Sequence, residues 1–340
     1  MSQPFAVRAY RPADEAGVLT LLRQSLGNGR AFQRDNAFWQ WKHFQNPSGA
    51  SLLMVADGEE ILGLRAFMRW KFQVDGRALN AVRAVDTATH PEYRRHGVFS
   101  TLTRQTVERA QAEGVDLIFN TPNQYSLPGY LKLGWTYAGR PQVLVRVLHP
   151  LRMVRALSGQ AKAAAEWHLP EGTGQPVERL LADADAVQRL LAENDRRCAG
   201  RIRTQRSIEF LRWRYSAVPS LTYFVAWPQS GADGAAIVFR PTLRRGLREV
   251  MLCEVLLGVG GGAALGRVVR RLATSCGADY LAAHAPRGAA HWWALLRAGF
   301  VPMPRVGPHF TVRPLSAAAA AAAPAHLHRW QLSLGDLEVF

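Results

Sequence analysis

Lysine is scarce in this chain. Only Lys42, Lys71, Lys132 and Lys162 stand among its 42 basic residues, and the rest are arginines. Cysteine is scarcer still: Cys198, Cys253 and Cys276 are too few and too scattered for a disulfide framework or a zinc site, which fits a reducing compartment. No metal is expected. No apolar run approaches the roughly 20 residues of a membrane helix, and the opening MSQPFAVRAYRPADE has no apolar core of a signal peptide. A cytoplasmic protein without a transmembrane segment is the expectation. Acidic residues number 26, leaving a formal charge of +16 and a field that favours anionic partners. No basic motif interleaved with aromatics singles out nucleic acid, so none is expected as a partner.

What the chain does have is itself, twice. RDNAFWQWKHFQNP (Arg34 to Pro47) and RSIEFLRWRYSAVP (Arg206 to Pro219) share Arg, Phe, Trp and Pro at one constant offset. An amphipathic segment precedes each copy and a short β-type run follows it. Later, GVDLIF from Gly114 is echoed by GADYLA from Gly277, and KLGW from Lys132 by RAGF from Arg297. With 340 residues, 48% apolar and 20% charged, two similar globular units fit better than two unrelated ones. Expected boundaries are 1–155 for the first unit, 156–176 for an Ala-, Gly- and Pro-rich linker and 177–340 for the second. The Ala-rich stretch 316–324 reads as an insert in the second unit, and the final HRWQLSLGDLEVF as a closing strand.

Within the first unit the pattern predicts a strand over 5–11, helices over 13–26 and 36–44, and strands over 52–56, 61–74 and 77–89. A helix over 98–113, a strand over 116–120, a helix over 126–133 and strands from 135 and 143 complete it. Asp75-Gly76 marks a two-residue hairpin. The fold class is α/β of the α+β type, two tandem halves each built on a mixed, largely antiparallel sheet flanked by helices.

THPEYRRHGVFSTL (Thr89 to Leu102) puts Arg94, Arg95, His96 and Gly97 where a strand ends and a helix begins. The free N–H groups and positive dipole of a helix N-terminus attract phosphate. Gly97 lets the backbone approach a ligand with no Cβ in the way. A pyrophosphate suits that mouth.

These residues resemble motif A of the GNAT acetyltransferase superfamily, whose Arg/Gln-x-x-Gly-x-Gly/Ala loop holds the pyrophosphate of acetyl-CoA. Arg94 and Gly97 match it; Phe99 departs from the usual Gly or Ala, and helical spacing with Leu102, Thr106 and Ala110 turns its ring toward the core. NQYSLPGYLKLGW is similar to the second signature of the family: Asn123, Tyr130, Gly134 and Trp135 keep its spacing. The resemblance implies acetyl-CoA as co-substrate, with Arg94, Arg95, His96, Gly97, Val98 and Phe99 around its phosphates. It implies Asn123 on the pantetheine arm or ordering the nearby backbone, and Ala88 or Thr89 polarising the thioester carbonyl. Tyr130 is the implied acid for the thiolate and Asp86 the implied base. His90 and His96 are read as solvated or phosphate-adjacent.

The second half keeps the order of elements without the chemistry. LLGVGGGAALGRVV has no arginine inside its turn, and HWWALLRAGF has Trp or Ala where the acid would be. The expectation is an acyl-CoA-dependent N-acyltransferase, most simply acetyl-transferring, acting on a small-molecule or envelope-related amine. The alternatives are a FemAB-like aminoacyl or peptidyl transferase, which would use tRNA, and a non-catalytic acyl-CoA sensor.

Overall fold

The computed structural model describes residues 5–26, 35–158, 166–228 and 231–337. The chain begins with β1 (Ala6–Ala9), α1 (Glu15–Leu26) and α2 (Asn36–His43), then β2 (Leu52–Asp57), β3 (Ile61–Val74) and β4 (Arg77–Thr89). Asp75 and Gly76 both take positive φ, 50° and 76°, and place Val74 opposite Arg77. That is the backbone a two-residue hairpin requires. α3 (Val98–Ala112), β5 (Leu117–Asn120), α4 (Leu127–Lys132), β6 (Thr136–Gly139), β7 (Val143–Val147) and α5 (Pro150–Leu157) follow. The first strand is shorter than its apolar pattern suggested.

The second half repeats the order. It runs β8 (Gln175–Pro176), α6 (Val177–Leu181), α7 (Ala184–Arg197), β9 (Ile202–Thr204), α8 (Ile208–Tyr215), β10 (Phe224–Ala226), β11 (Ala235–Arg244) and β12 (Leu247–Leu257). Then come α9 (Gly261–Ser275), β13 (Tyr280–His284), α10 (Ala290–Arg297), β14 (Val301–Pro302), β15 (Phe310–Pro314), α11 (Ala317–Ala321), β16 (Trp330–Gln331) and α12 (Leu334–Leu337). The repeat copies become α2 and α8, each N-capped by its own side chain, Asp35 to the Phe38 N–H and Ser207 to the Phe210 N–H.

Two mixed sheets result, and they trade strands. The first runs β1-β2-β3-β4-β5-β15-β6, with β9 on β3 and β16 on β9; the second runs β14-β7-β13-β12-β11-β10-β8. Each sheet thus receives, between its fifth and sixth strands, a strand from the other half of the chain. β15 pairs antiparallel with β5 and β6, with Phe310, Thr311 and Val312 fully buried. β7 pairs antiparallel with β13 and β14. The strand expected from Val143 in the first sheet is therefore in the second. A cut between 155 and 177 takes β9, β15 and β16 from the first sheet and β7 from the second.

The C-terminal stretch also differs from the pattern. Only Trp330 and Gln331 form a strand, parallel to β9, and a short helix follows it. Glu338 to Phe340 lie outside the described residues. The alanine run is packed: Ser316 caps α11, and Ala319 and Ala322 are buried. No helix among the described residues is long and apolar enough to cross a membrane.

Candidate active site

β4 and β5 run parallel and pair from Ala81 with Leu117 to Arg83 with Phe119. Beyond that point they part, because β5 ends at Asn120 while β4 continues to Thr89. Against β3 the register slips between Leu64 and Ala66, a bulge that gives Asp86 a φ of 41°. Ala88 and Thr89 lie just past the bulge, on the stretch of β4 that has lost its β5 partner. Ala88 is buried, and the Ser25 hydroxyl donates to the Thr89 carbonyl at 3.1 Å.

The strand leads through a turn at 91–97 into α3. Gly97 is the N-cap, with φ 80° and no side-chain cap, and a Cβ built there meets nothing within 4 Å. The backbone at Gly97, where α3 opens with Val98 and Phe99, is therefore open to a ligand. Arg94, Arg95 and His96 are exposed around it, and Arg95 takes φ 69°. The loop fits a pyrophosphate through its two exposed arginines and open backbone, with the carboxylate of Glu92 at the other end of the turn. His90 instead lies 3.5 Å from Glu60.

Asn123 orders backbone. Its Oδ1 accepts from the N–H groups of Tyr125 and Ser126 at 3.0 and 2.9 Å and so starts the turn into α4. Tyr130, on α4, is buried, and its hydroxyl accepts a 2.7 Å hydrogen bond from Nη1 of Arg65. Arg65 was not singled out by the sequence. It stands in β3 inside the apolar run ILGLRAFM, fully buried, and also donates to the Thr87 hydroxyl. A lone charge within an apolar run is the only signal that could have found it.

Asp86 lies toward α2. Its Oδ2 is 2.6 Å from Nζ of Lys42 and 3.0 Å from Nε2 of His43, and all three side chains are buried. Burial alone would raise the Asp86 pKa, but the Lys42 ammonium and the His43 hydrogen bond outweigh it and hold the carboxyl well below the usual range. Burial pushes His43 down, against Asp86, and keeps it neutral; its Nδ1 lies 2.9 Å from the Ser51 hydroxyl. A carboxylate already paired and this acidic is a weak proton acceptor, whereas the sequence reading made it the base. A small crevice lined by Leu19, Leu22, Asp35, Phe38 and Trp39 lies against Lys42 and Asp86. Among the described residues no three His, Cys, Asp or Glu side chains gather as a metal site requires.

The family model of the acetyltransferase (GNAT) domain matches residues 6–138, which hold the bulge, the loop, Asn123 and Tyr130. This segment is similar to a GNAT acetyltransferase domain. No curated protein matches the sequence. Solved structures share the fold of nearly the whole chain. A GCN5-related N-acetyltransferase from Anabaena variabilis is 13% identical at a TM-score of 0.65, with 93% of this chain and 74% of that one covered. One from Kribbella flavida is 16% identical at a TM-score of 0.61, with 94% and 74% covered. N-myristoyltransferase of Saccharomyces cerevisiae, solved with myristoyl-CoA, is 12% identical at a TM-score of 0.55, with 92% and 83% covered.

Phe99 turns away from the loop of Arg94 to Gly97. Its ring meets that of Tyr130 edge-on at 5.6 Å and lies so close to α4 that a Cβ at Gly129 would come within 3.1 Å of it. The second half shares the frame of the first. The N–H of Trp135 bonds to the carbonyl of Tyr130 as that of Phe300 bonds to Leu295, so a buried leucine, rather than Trp or Ala, stands opposite the phenol. Glu254 holds the place of Asp86 and is bound by Arg206, Tyr215 and Ser333.

Proposed function

We propose that the protein is an acyl-CoA-dependent N-acyltransferase, that its donor is acetyl-CoA and that its acceptor is a primary amine. The observation that carries this reading is the coincidence, in one half only, of the open Gly97 mouth with Arg94 and Arg95 beside it and the buried phenol of Tyr130 beside the parted strands. Arg94, Arg95, His96 and the first-turn amides of α3 would hold the pyrophosphate, and Ala88 or Thr89 would offer the backbone donor to the thioester carbonyl. Acetyl-CoA supplies an activated acyl group on a thiol leaving group. Tyr130 gives that thiol its proton.

Asp86 is assigned to shaping the bulge: its carboxylate ties β4 to Lys42 and His43 of α2 and so fixes the edge on which Ala88 and Thr89 lie. The amine gives up its proton to water.

The test is release of free thiol from acetyl-CoA in the presence of polyamines, amino sugars and lysine peptides. Amine-dependent release with N-acetylated product supports the reading. Binding of acetyl-CoA without turnover on any amine would point to an acyl-CoA sensor, and no binding at all to a tRNA-dependent transferase.

A further inference from the structure

Arg65 is a cation with no anion. Its side chain is fully buried, no carboxylate among the described residues pairs with it, and Nε and Nη2 have no hydrogen-bond partner. It is caged by rings instead: Cζ lies 4.9 Å from the centre of Phe67, 5.0 Å from Tyr130 and 5.7 Å from Phe99. Its remaining contacts are the hydroxyls of Thr87, at the β4 bulge, and Tyr130. A guanidinium taken out of water without a counter-ion opposes folding by several kcal/mol, of which ring faces and neutral hydroxyls recover only part.

The fold does not demand this. In the second half β11 runs Ala-Ala-Ile-Val-Phe (235–239) up to its own bulge, wholly apolar and wholly buried. The phenol is likewise replaced there by Leu295, and the turn before α9 has no arginine. The buried cation, the phenol and the basic loop therefore occur together or not at all.

We propose that Arg65 is the positioning residue for proton transfer from Tyr130, a reading that rests on the function proposed above. Arg65 Nη1 donates to the phenol oxygen, which leaves the phenolic hydrogen free to point away from the guanidinium toward the leaving sulfur. As the amine forms its C–N bond and the C–S bond breaks with its electron pair on sulfur, Tyr130 passes its proton to that sulfur. A phenolate is left, and the fixed charge of Arg65 is its missing counter-ion. Water then returns the proton. Phe99, the departure from the family loop, belongs to the same unit, because its ring closes the cage over both groups.

A double-mutant cycle with acetyl-CoA and the best amine of the panel tests this. Tyr130→Phe should lower kcat by roughly 10²–10⁴-fold, as loss of a positioned acid does. Arg65→Met should lower kcat by about tenfold or more with the KM for acetyl-CoA little changed, and in the Tyr130→Phe background the same change should cost less than about threefold. Equal losses in both backgrounds would show that Arg65 serves the fold alone. Should the Met variant fail to fold, Arg65→Lys, which keeps a charge of shorter reach, carries the same cycle, with acetyl-CoA affinity as the check on folding. Full turnover by Tyr130→Phe would overturn the acid itself, whereas a slow Tyr130→Phe with additive Arg65 losses would overturn only the role of Arg65.

Discussion

Trp41 and Trp213 stack with their ring centres 5.2 Å apart and their planes 20° apart. Each indole N–H donates to the backbone carbonyl of the other, at 2.8 and 2.9 Å. The two are the same position of the internal repeat, 172 residues apart. Such reciprocity is the mark of a two-fold relation within one chain: each residue sees the other as the other sees it. Because both indoles are fully desolvated, removing either leaves a cavity and an unpaired carbonyl. Trp41→Ala or Trp213→Ala should each cost about 3–5 kcal/mol, read as a fall in the denaturation midpoint. A loss near zero would mean that the halves are joined elsewhere.

The exchange of β7 and β15 makes the halves one folding unit. Calorimetry on the full chain should give a single cooperative transition, with calorimetric and van't Hoff enthalpies equal. A fragment of residues 1–155 should lack a stable fold, since its sheet would miss β15 and its β7 would have no sheet at all. Two separated transitions, or a fragment with native near-ultraviolet dichroism, would count against the exchange.

Burial pushes down the pKa of His43 and His284, and that of His291 to about 3. Unfolded histidine titrates near 6.5, so below that pH the unfolded chain takes up protons that the folded chain refuses. The contribution of these groups to stability is complete above about pH 6.5 and shrinks as the pH falls toward 3. Asp86, held below its usual range, adds a further loss below about pH 4. Urea midpoints at pH 7.5 and 5.0 should differ, and His291→Asn should shrink the gap by roughly 2 kcal/mol. An unchanged gap would show that His291 meets protons in the folded state.

Asp86→Asn separates the shaping role from the proton-accepting one. Asparagine keeps the shape but leaves Lys42 without its carboxylate, so the melting temperature should fall, the larger share of a cost of about 3–5 kcal/mol for a broken buried pair. Turnover of the folded variant should drop by less than about tenfold, against the 10²–10⁴-fold expected for a lost general base. A loss in that larger range, with the melting temperature held, would return Asp86 to the chemistry.

Much of this was legible in the sequence where the signal is local. The repeat around Trp41 and Trp213, the Asp75-Gly76 hairpin and the Gly97 mouth are each set by a few neighbouring residues. The strand exchange was not, because Val143 to Val147 has the same apolar pattern whichever sheet it joins; the choice is made by partners far along the chain. Asp86 was found as a position, but its state depends on Lys42 and His43, which only the packing of α2 on the bulge brings near. Arg65 escaped for the converse reason. A charge in an apolar strand says that something faces it, and only the fold says that it is Tyr130.

The loop chemistry can be dissected by affinity. On the proposed function, Arg95→Ala would remove a phosphate contact, and Gly97→Val puts a branched side chain at φ 80° in the mouth assigned to the ligand. Charge-assisted hydrogen bonds contribute roughly 1.5–3 kcal/mol, so each variant should raise the dissociation constant of acetyl-CoA about tenfold or more. Unchanged affinity in both would place the phosphates elsewhere.

The central claim is that one half of the chain, and only one, is built to take an acyl-CoA. Isothermal titration of the full chain with acetyl-CoA tests it most directly, because the basic loop, Arg65 and Tyr130 occur in the first half alone while α9 is N-capped by Gly260 with no arginine in its turn. The account predicts one acetyl-CoA bound per chain, lost in Gly97→Val. Two equivalent sites per chain, or none, would contradict it.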